Sequence, residues 1–307
     1  MAKSPQATQK ATPQAAAASK PAAPKTTALV EQKTGAVAIA EASAALFAAD
    51  AGQGMEGATA EAFAIPFLSV LQSNSPQVDE ASGQALEGAR AGMFFENVTG
   101  TLVSGKPDAG VLFVPCAFRR VFLRWGPRGG EGAGFKGELL PEEVAELRAR
   151  GKIVDLDGRL FFPDESGEIK RKADGTVLCD RVNDTRNHYI LIIRPDGSWQ
   201  QALLSLTSTQ IKKSKTLMAA LASIKMTGAA GMFTPPTFAN IVHATTLPES
   251  HDKGNWMGIR MEITGRVDRA EVYAAAKAFR DSVVKGQVEV KYEEPVGGDA
   301  AGAAGGF

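Results

Sequence analysis

Cysteine is nearly absent from this chain of 307 residues: Cys116 and Cys179 stand far apart, with no CxxC spacing. A pair so sparse excludes a disulfide framework and points to a reducing cytoplasm. Histidine is equally scarce, and His188, His243 and His251 never fall at the i, i+4 spacing of a helical zinc site. No apolar run reaches the roughly 18 residues of a membrane span, and no apolar h-region opens the sequence, so neither a membrane location nor secretion is expected. Net charge is missing too. Thirty-four Lys and Arg balance thirty-four Asp and Glu, which excludes a simple basic duplex binder.

The absence of motifs narrows the chemistry further. Gly132, Gly134 and Gly137 spell GxGxxG, but Glu138-Leu139-Leu140-Pro141 follows where a nucleotide fold needs a long helix. No Lys-Ser/Thr pair completes a P-loop. His188 lies near Asp184 and Cys179 without a nucleophile elbow, so the histidines read as satisfied or surface residues. Asp155, Asp157, Asp164, Glu165 and Glu168 straddle a hairpin, where acidic turn residues are ordinary. The sequon at Asn97-Val98-Thr99 reads as a turn. These observations point to a protein that is not an enzyme and carries no cofactor and no metal.

What remains is a hydrophobic content of 44%, ample for a core, and charge segregated along the chain. Residues 1–28 hold lysines and no acid in an Ala/Pro/Gln background that cannot repay the entropy of ordering, a disordered tail. Residues 29–62 form an Ala-rich, weakly structured linker. A single core domain is expected over 63–292, then a flexible acidic Gly/Ala-rich tail over 293–307 ending on Phe307.

Within the core, short strands near residues 93–103 turn at 97–100. VLFVPCAFRRVFLRW (Val111–Trp125) is the longest strand candidate, bent or at an edge where Pro115 lacks an N–H. A helix spans 140–150, with Pro141 in its first turn and Gly151 past its end. Residues 153–162 form a hairpin around Asp157-Gly158, and 189–193 pair with 199–206 across Pro195-Asp196-Gly197. Thr207 then N-caps a helix, with Gln210 as its capping-box partner. That helix sets Ile211, Ser214, Leu217, Met218, Leu221 and Ile224 on one side and Lys212, Lys213 and Lys215 on or beside the other. No carboxylate between 198 and 225 neutralises them. A Pro-containing loop over 232–238 leads to strands at 241–246 and 256–267, split by a polar loop over 247–255. Asp268 caps a last helix with the buried stripe Val272, Ala276, Phe279 and Val283, and 288–290 add a short strand. Strands outnumber helices without alternating with them. The expected class is α+β, mainly antiparallel β and barrel-like, with two or three packed helices and disordered termini.

The chemistry-bearing constellation is the strand ending at Trp125. Phe118, Arg120, Phe122 and Arg124 share one face by alternation, and Arg119 shares the other with Val121, Leu123 and Trp125. Which face is buried is left open. Guanidinium groups interleaved with rings suit single-stranded nucleic acid, with cations for phosphates and flat surfaces for unpaired bases. Arg128 and Lys136 extend the basic stretch through a Gly-rich loop. Phe307 is a candidate anchor for a partner's pocket.

IPFLSVLQSNSPQV, VLFVPC with its Arg/aromatic strand, GGEGAGFKG, TRNHYILII, LLSLTSTQIKKSK and LPESHDKGNWMG, in this order, resemble a family of bacteriophage single-stranded DNA-binding proteins of replication and recombination. The resemblance covers residues 65–292 and is most specific over 207–215. It implies an OB-like barrel core, binding without strict sequence preference, and an acidic C-terminal tail that recruits replication or recombination proteins. The Gly/Ala-diluted tail here departs from that pattern. The expected function is therefore non-catalytic binding of single-stranded DNA, with oligomers allowed. A virion structural or scaffold protein is the first alternative and a metal-dependent DNA-processing enzyme the second.

Overall fold

The computed structural model describes residues 46–48, 50, 53–54, 64–127, 132–251 and 254–292. The chain divides into two units, Met1–Gly57 and Ala58–Phe307, and the described strands belong to the second. In chain order they are β1 (Leu68–Val70), β2 (Phe94–Glu96), β3 (Thr101–Leu102), β4 (Val111–Trp125) and β5 (Phe135–Leu139), then helix α1 (Pro141–Ala149). Next come β6 (Val154–Leu156), β7 (Arg159–Phe161), β8 (Arg181–Ile193), β9 (Trp199–Thr207) and helix α2 (Ile211–Ser223). Finally β10 (Met226–Gly228), β11 (Gly231–Phe233), β12 (Asn240–His251) and β13 (Gly254–Arg266) precede helix α3 (Ala270–Val284).

β4 and β8, both rich in branched and aromatic residues, pair antiparallel along almost their full length. β9 folds back on β8, and the sheet runs β13-β12-β4-β8-β7-β6. β12 reaches only Val111, Leu112 and Phe113 on the outer edge of β4, and β5 takes up that edge again from Phe122. Among the described residues no strand lies against the outer edge of β4 over 114–121. Pro115 sits in this window, and the register shifts between Pro115 and Ala117, which bends the strand. A residue without an N–H is tolerated where no ladder asks for one.

Both faces of the sheet are covered. On one, Leu217 and Leu221 of α2 pack with Phe113, Ile190, Ile192, Leu204, Val242 and Ile259. On the other, Val272, Ala276, Phe279 and Val283 of α3 meet Val114, Cys116, Tyr189, Leu191 and Leu203. The last helix buries the stripe its 3.6-residue period predicts. α1 closes a smaller cluster with Phe122, Ile153 and Val182.

The α+β class and the antiparallel character follow directly from this topology. The barrel does not close: among the described residues no strand pairing joins β9 to β13. The segment around β1 spans the gap by other means. Leu203 N–H donates to the Pro66 carbonyl at 2.8 Å. At the other end the Gln72 amide grips the Met257 backbone twice, accepting its N–H at 2.8 Å and donating to its carbonyl at 3.1 Å. Among the described residues no helix is long and apolar enough to cross a membrane.

Several local expectations are corrected. Residues 247–251 and 254–255 are strand and not loop, because β12 and β13 pair from Asn240↔Arg266 to His251↔Gly254, with one register shift between Ile241 and Val242. Their far end is tied by Glu249, which accepts the Trp256 indole N–H at 2.9 Å. The capping box at Thr207 is absent: a 3-10 turn (Ser208–Gln210) intervenes without a side-chain cap. The Gln210 oxygen accepts from Ile259 N–H on β13 instead, at 3.3 Å. The last helix starts after Arg269, and no side chain caps it. The 232–238 loop opens with the β10-β11 hairpin. Residues 288–290 form no strand, and Val288 and Val290 pack against the α3 face as coil. The tails over 1–28 and 293–307 lie outside the described residues, as does most of the 29–62 linker.

Candidate nucleic-acid interface

On the face of β4 that carries Phe118, Arg120, Phe122 and Arg124, α2 covers one end of the sheet and α1 the other. Between them lies a polar strip. Phe118 is half-buried and its ring sits 5.1 Å from that of His188 on β8. His188 in turn meets the Ser214 hydroxyl of α2 at 2.7 Å, next to Lys213 and Lys215. Burial, with the Arg186 charge nearby, lowers the His188 pKa to about 4. The imidazole is therefore neutral near pH 7 and is a satisfied buried group.

Cations dominate the rest of the strip. Arg120 makes a forked pair with Asp184, Nε to Oδ1 at 3.1 Å and Nη2 to Oδ2 at 2.8 Å. Arg186, opposite Arg120 in the register, shares that carboxylate at 3.3 Å. Further along, Arg124 and Lys136 both hold Asp180, at 2.6 and 2.9 Å. Each carboxylate thus serves two cations, and each cluster keeps a surplus positive charge. Arg120 lies over the Phe122 ring at 4.9 Å and Arg124 over Phe162 at 4.0 Å. These contacts fix the guanidinium planes.

The lysines of α2 differ from one another. Lys213 is ion-paired with Glu249 at 2.7 Å, a carboxylate far away in sequence, so this lysine is neutralised after all. Gly258 makes that pairing possible, since a Cβ there would lie 2.3 Å from the Glu249 Cδ. Lys212 and Lys215 are exposed and carry no carboxylate partner among the described residues.

The opposite face of β4 is settled as well. Val121, Leu123 and Trp125 are buried with Tyr292. Trp125 is 4% exposed and meets Phe135 edge-on at 5.5 Å. Tyr292 donates to Glu138 at 2.9 Å and accepts from Asn187 at 2.7 Å, and burial with the Glu138 charge raises its pKa. Arg119 stays exposed, and its charge works against the burial that raises the Tyr189 pKa.

The strip thus unites Phe118, Arg120, Phe122, Arg124 and Lys136, with Lys212, Lys213 and Lys215 beside it. It separates Arg119 and Trp125 onto the other face. Phe122 is 6% exposed, so of these rings only Phe118 is offered to a ligand. Arg128 and Phe307 lie outside the described residues. Asp180, Asp184, Arg186 and Glu249 belong to the site and escape a motif search. The alternation Asp184, Arg186, His188 on one strand face was the available signal for two of them. The acids near the hairpin have local uses. Asp155 accepts from Gly158 N–H at 2.8 Å, and Asp164 from Ser166 and Glu168 N–H, both at 3.0 Å. No metal-binding cluster occurs among the described residues.

These features define an α+β protein of mainly antiparallel strands, with helices on both faces of one sheet and a cationic strip between two of them. The chain belongs to the Pam3 phage gp34-like protein family, whose model matches residues 32–289. This is a bacteriophage family. No curated protein and no solved structure matches the chain.

Proposed function

We propose that this protein binds single-stranded DNA, largely without sequence preference, during phage DNA replication or recombination, and does so without catalysis. The observation that carries the reading is the strip beside α2. There two cations share each carboxylate, and Phe118 offers a half-open ring next to the unpaired Lys212 and Lys215. Surplus charge of this kind draws a phosphate backbone, and a ring at its centre stacks an unpaired base that a duplex would keep hidden. The tie from Gln72 across the open ends of the sheet supports an OB-like core, with the strip as its binding face.

The test is fluorescence anisotropy of labelled oligo-dT with the full chain across salt concentrations, against a duplex of equal length. The strand should bind more tightly, with log K falling linearly in log salt. Replacing Lys212, Lys213 and Lys215 together by alanine should lower that slope by about 1.4, roughly 0.7 for each of the two unpaired lysines. An unchanged affinity and slope would remove α2 from the site. Absence of oligonucleotide binding, with the protein co-sedimenting with particles, would favour the virion role instead.

A further inference from the structure

A second feature lies across the sheet from the strip. A pocket of about 400 Å³ opens between α3 and the 3-10 turn Thr237–Ala239, with Cys116 of the β4 bulge, Phe238, Lys277, Arg280 and Asp281 among its walls. Its size falls in the usual range for small-molecule sites. Phe238 is half-buried and packs against Tyr273 with ring centroids 5.2 Å apart. Tyr273, Lys277 and Arg280 follow one another at i, i+4 and i+7, a single stripe flanking the buried one.

Positive charge dominates the rim. Arg280 donates to Asp281 at 2.8 Å. That hydrogen bond, with the fields of Arg280, Lys277 and Lys285, lowers the Asp281 pKa. Lys277 makes no ion pair among the described residues. The Cys116 thiol is buried, and burial raises its pKa, so it stays protonated and supplies no nucleophile.

We propose that this pocket binds a nucleotide, with the base against the Phe238 and Tyr273 rings and the phosphate between Lys277 and Arg280. Phe238 in the wall, backed by Tyr273 one helical turn from Lys277 and two from Arg280, sets a ring beside two cations, as the two parts of such a ligand require. Asp281 holds the Arg280 guanidinium in place and leaves a carboxylate oxygen for a base N–H or a sugar hydroxyl. The same chemistry is presented by a free nucleotide and by one residue of a strand. This inference does not rest on the strip, which faces the other way.

Photocrosslinking of the full chain separates the sources. One arm uses 4-thiothymidine monophosphate alone and the other an oligo-dT carrying a single 4-thiothymidine, with adducts mapped by mass spectrometry. Adducts at Phe238 or Tyr273 are expected. Lys277→Ala with Arg280→Ala should cut their yield by about tenfold, while Lys212→Ala with Lys215→Ala should leave the mononucleotide yield unchanged. Tyr273→Ala, at an exposed position, serves as the ring variant should Phe238→Leu fail to fold. Labelling by the mononucleotide alone assigns the pocket to a free nucleotide, and labelling by the oligomer assigns it to a strand. Adducts at neither ring, or a yield indifferent to Lys277 and Arg280, would overturn the proposal. Oligomer binding that depends on Lys212 and Lys215 without an adduct here would sink the pocket and spare the strip.

Discussion

Glu249 decides how much of the α2 charge is available. It holds Lys213 at 2.7 Å and fits only because Gly258 has no side chain. Its carboxylate is the far end of a flexible chain, so Gly258→Ala should push it aside without unfolding the ribbon. Lys213 would then be free to meet a phosphate. We expect the salt slope of oligo-dT binding to steepen by roughly 0.7 in this variant. A slope equal to wild type would mean that the pair survives or that Lys213 never faces DNA.

His188 sets a pH dependence of stability. Its pKa falls from 6.5 to about 4 in the fold, chiefly through burial. The unfolded chain therefore binds a proton that the folded chain refuses. Stability contributed by the neutral ring is fully present above pH 6.5 and is lost as pH falls through that value toward about 4. The loss amounts to about 3 kcal/mol at most. Thermal melts over this window should be flatter for His188→Gln, and parallel profiles would assign the acid sensitivity to other groups. From the strand alone the histidine could be a satisfied or a surface residue, and the packing of α2 on β8 decides for burial. Its partner Ser214 was legible only as an inward residue of a helix.

At the scale of elements, local pattern carried the fold well wherever one period governed the segment. The α3 stripe, the hairpin at Asp157 and Gly158 with φ of +52° and +76°, and the span of β4 were all readable because neighbouring residues determine them. The distal part of the β12-β13 ribbon was not. Its polar residues look like a loop, yet cross-strand pairing and the Glu249 cluster hold them extended. The N-terminus of α2 misled for the same reason, since Gln210 serves β13 and not its own helix. The α3 stripe also makes the plainest stability prediction. Phe279 is buried against Tyr189 at 6.1 Å, and Phe279→Ala should cost about 3–5 kcal/mol in urea unfolding. A loss below about 1 kcal/mol would mean that α3 does not clamp the sheet.

The whole molecule depends on contacts between segments distant in sequence, which is why the strip was only partly visible beforehand. Arg120 and Arg124 could be placed on one face, but the carboxylates that hold them are Asp184 in β8 and Asp180 just before it. The paired state of those cations could not be read from their own strand. The same long-range logic applies to Gln72, whose amide joins the β1 segment to β13. Gln72→Ala strips two hydrogen bonds from the backbone of Met257 and should cost about 1–3 kcal/mol. It should also speed hydrogen exchange at Met257 more than at Leu203. Equal protection at both amides would show that the segment holds its place without this tie.

The unpaired window on β4 bears on how crowded a solution the protein tolerates. An exposed strand edge is a template on which further chains can add and grow into fibrils. Here Pro115 withholds an N–H at one end of the window, the bulge twists the strand, and Arg119 and Arg120 place like charges where a second copy would have to align. Arg120, which lies in the cationic strip, and Arg119 on the opposite face thus act together as gatekeepers against self-templating. The protein should therefore stay free of fibrils at concentrations where Arg119→Val with Arg120→Val begins to form them, as read by thioflavin fluorescence.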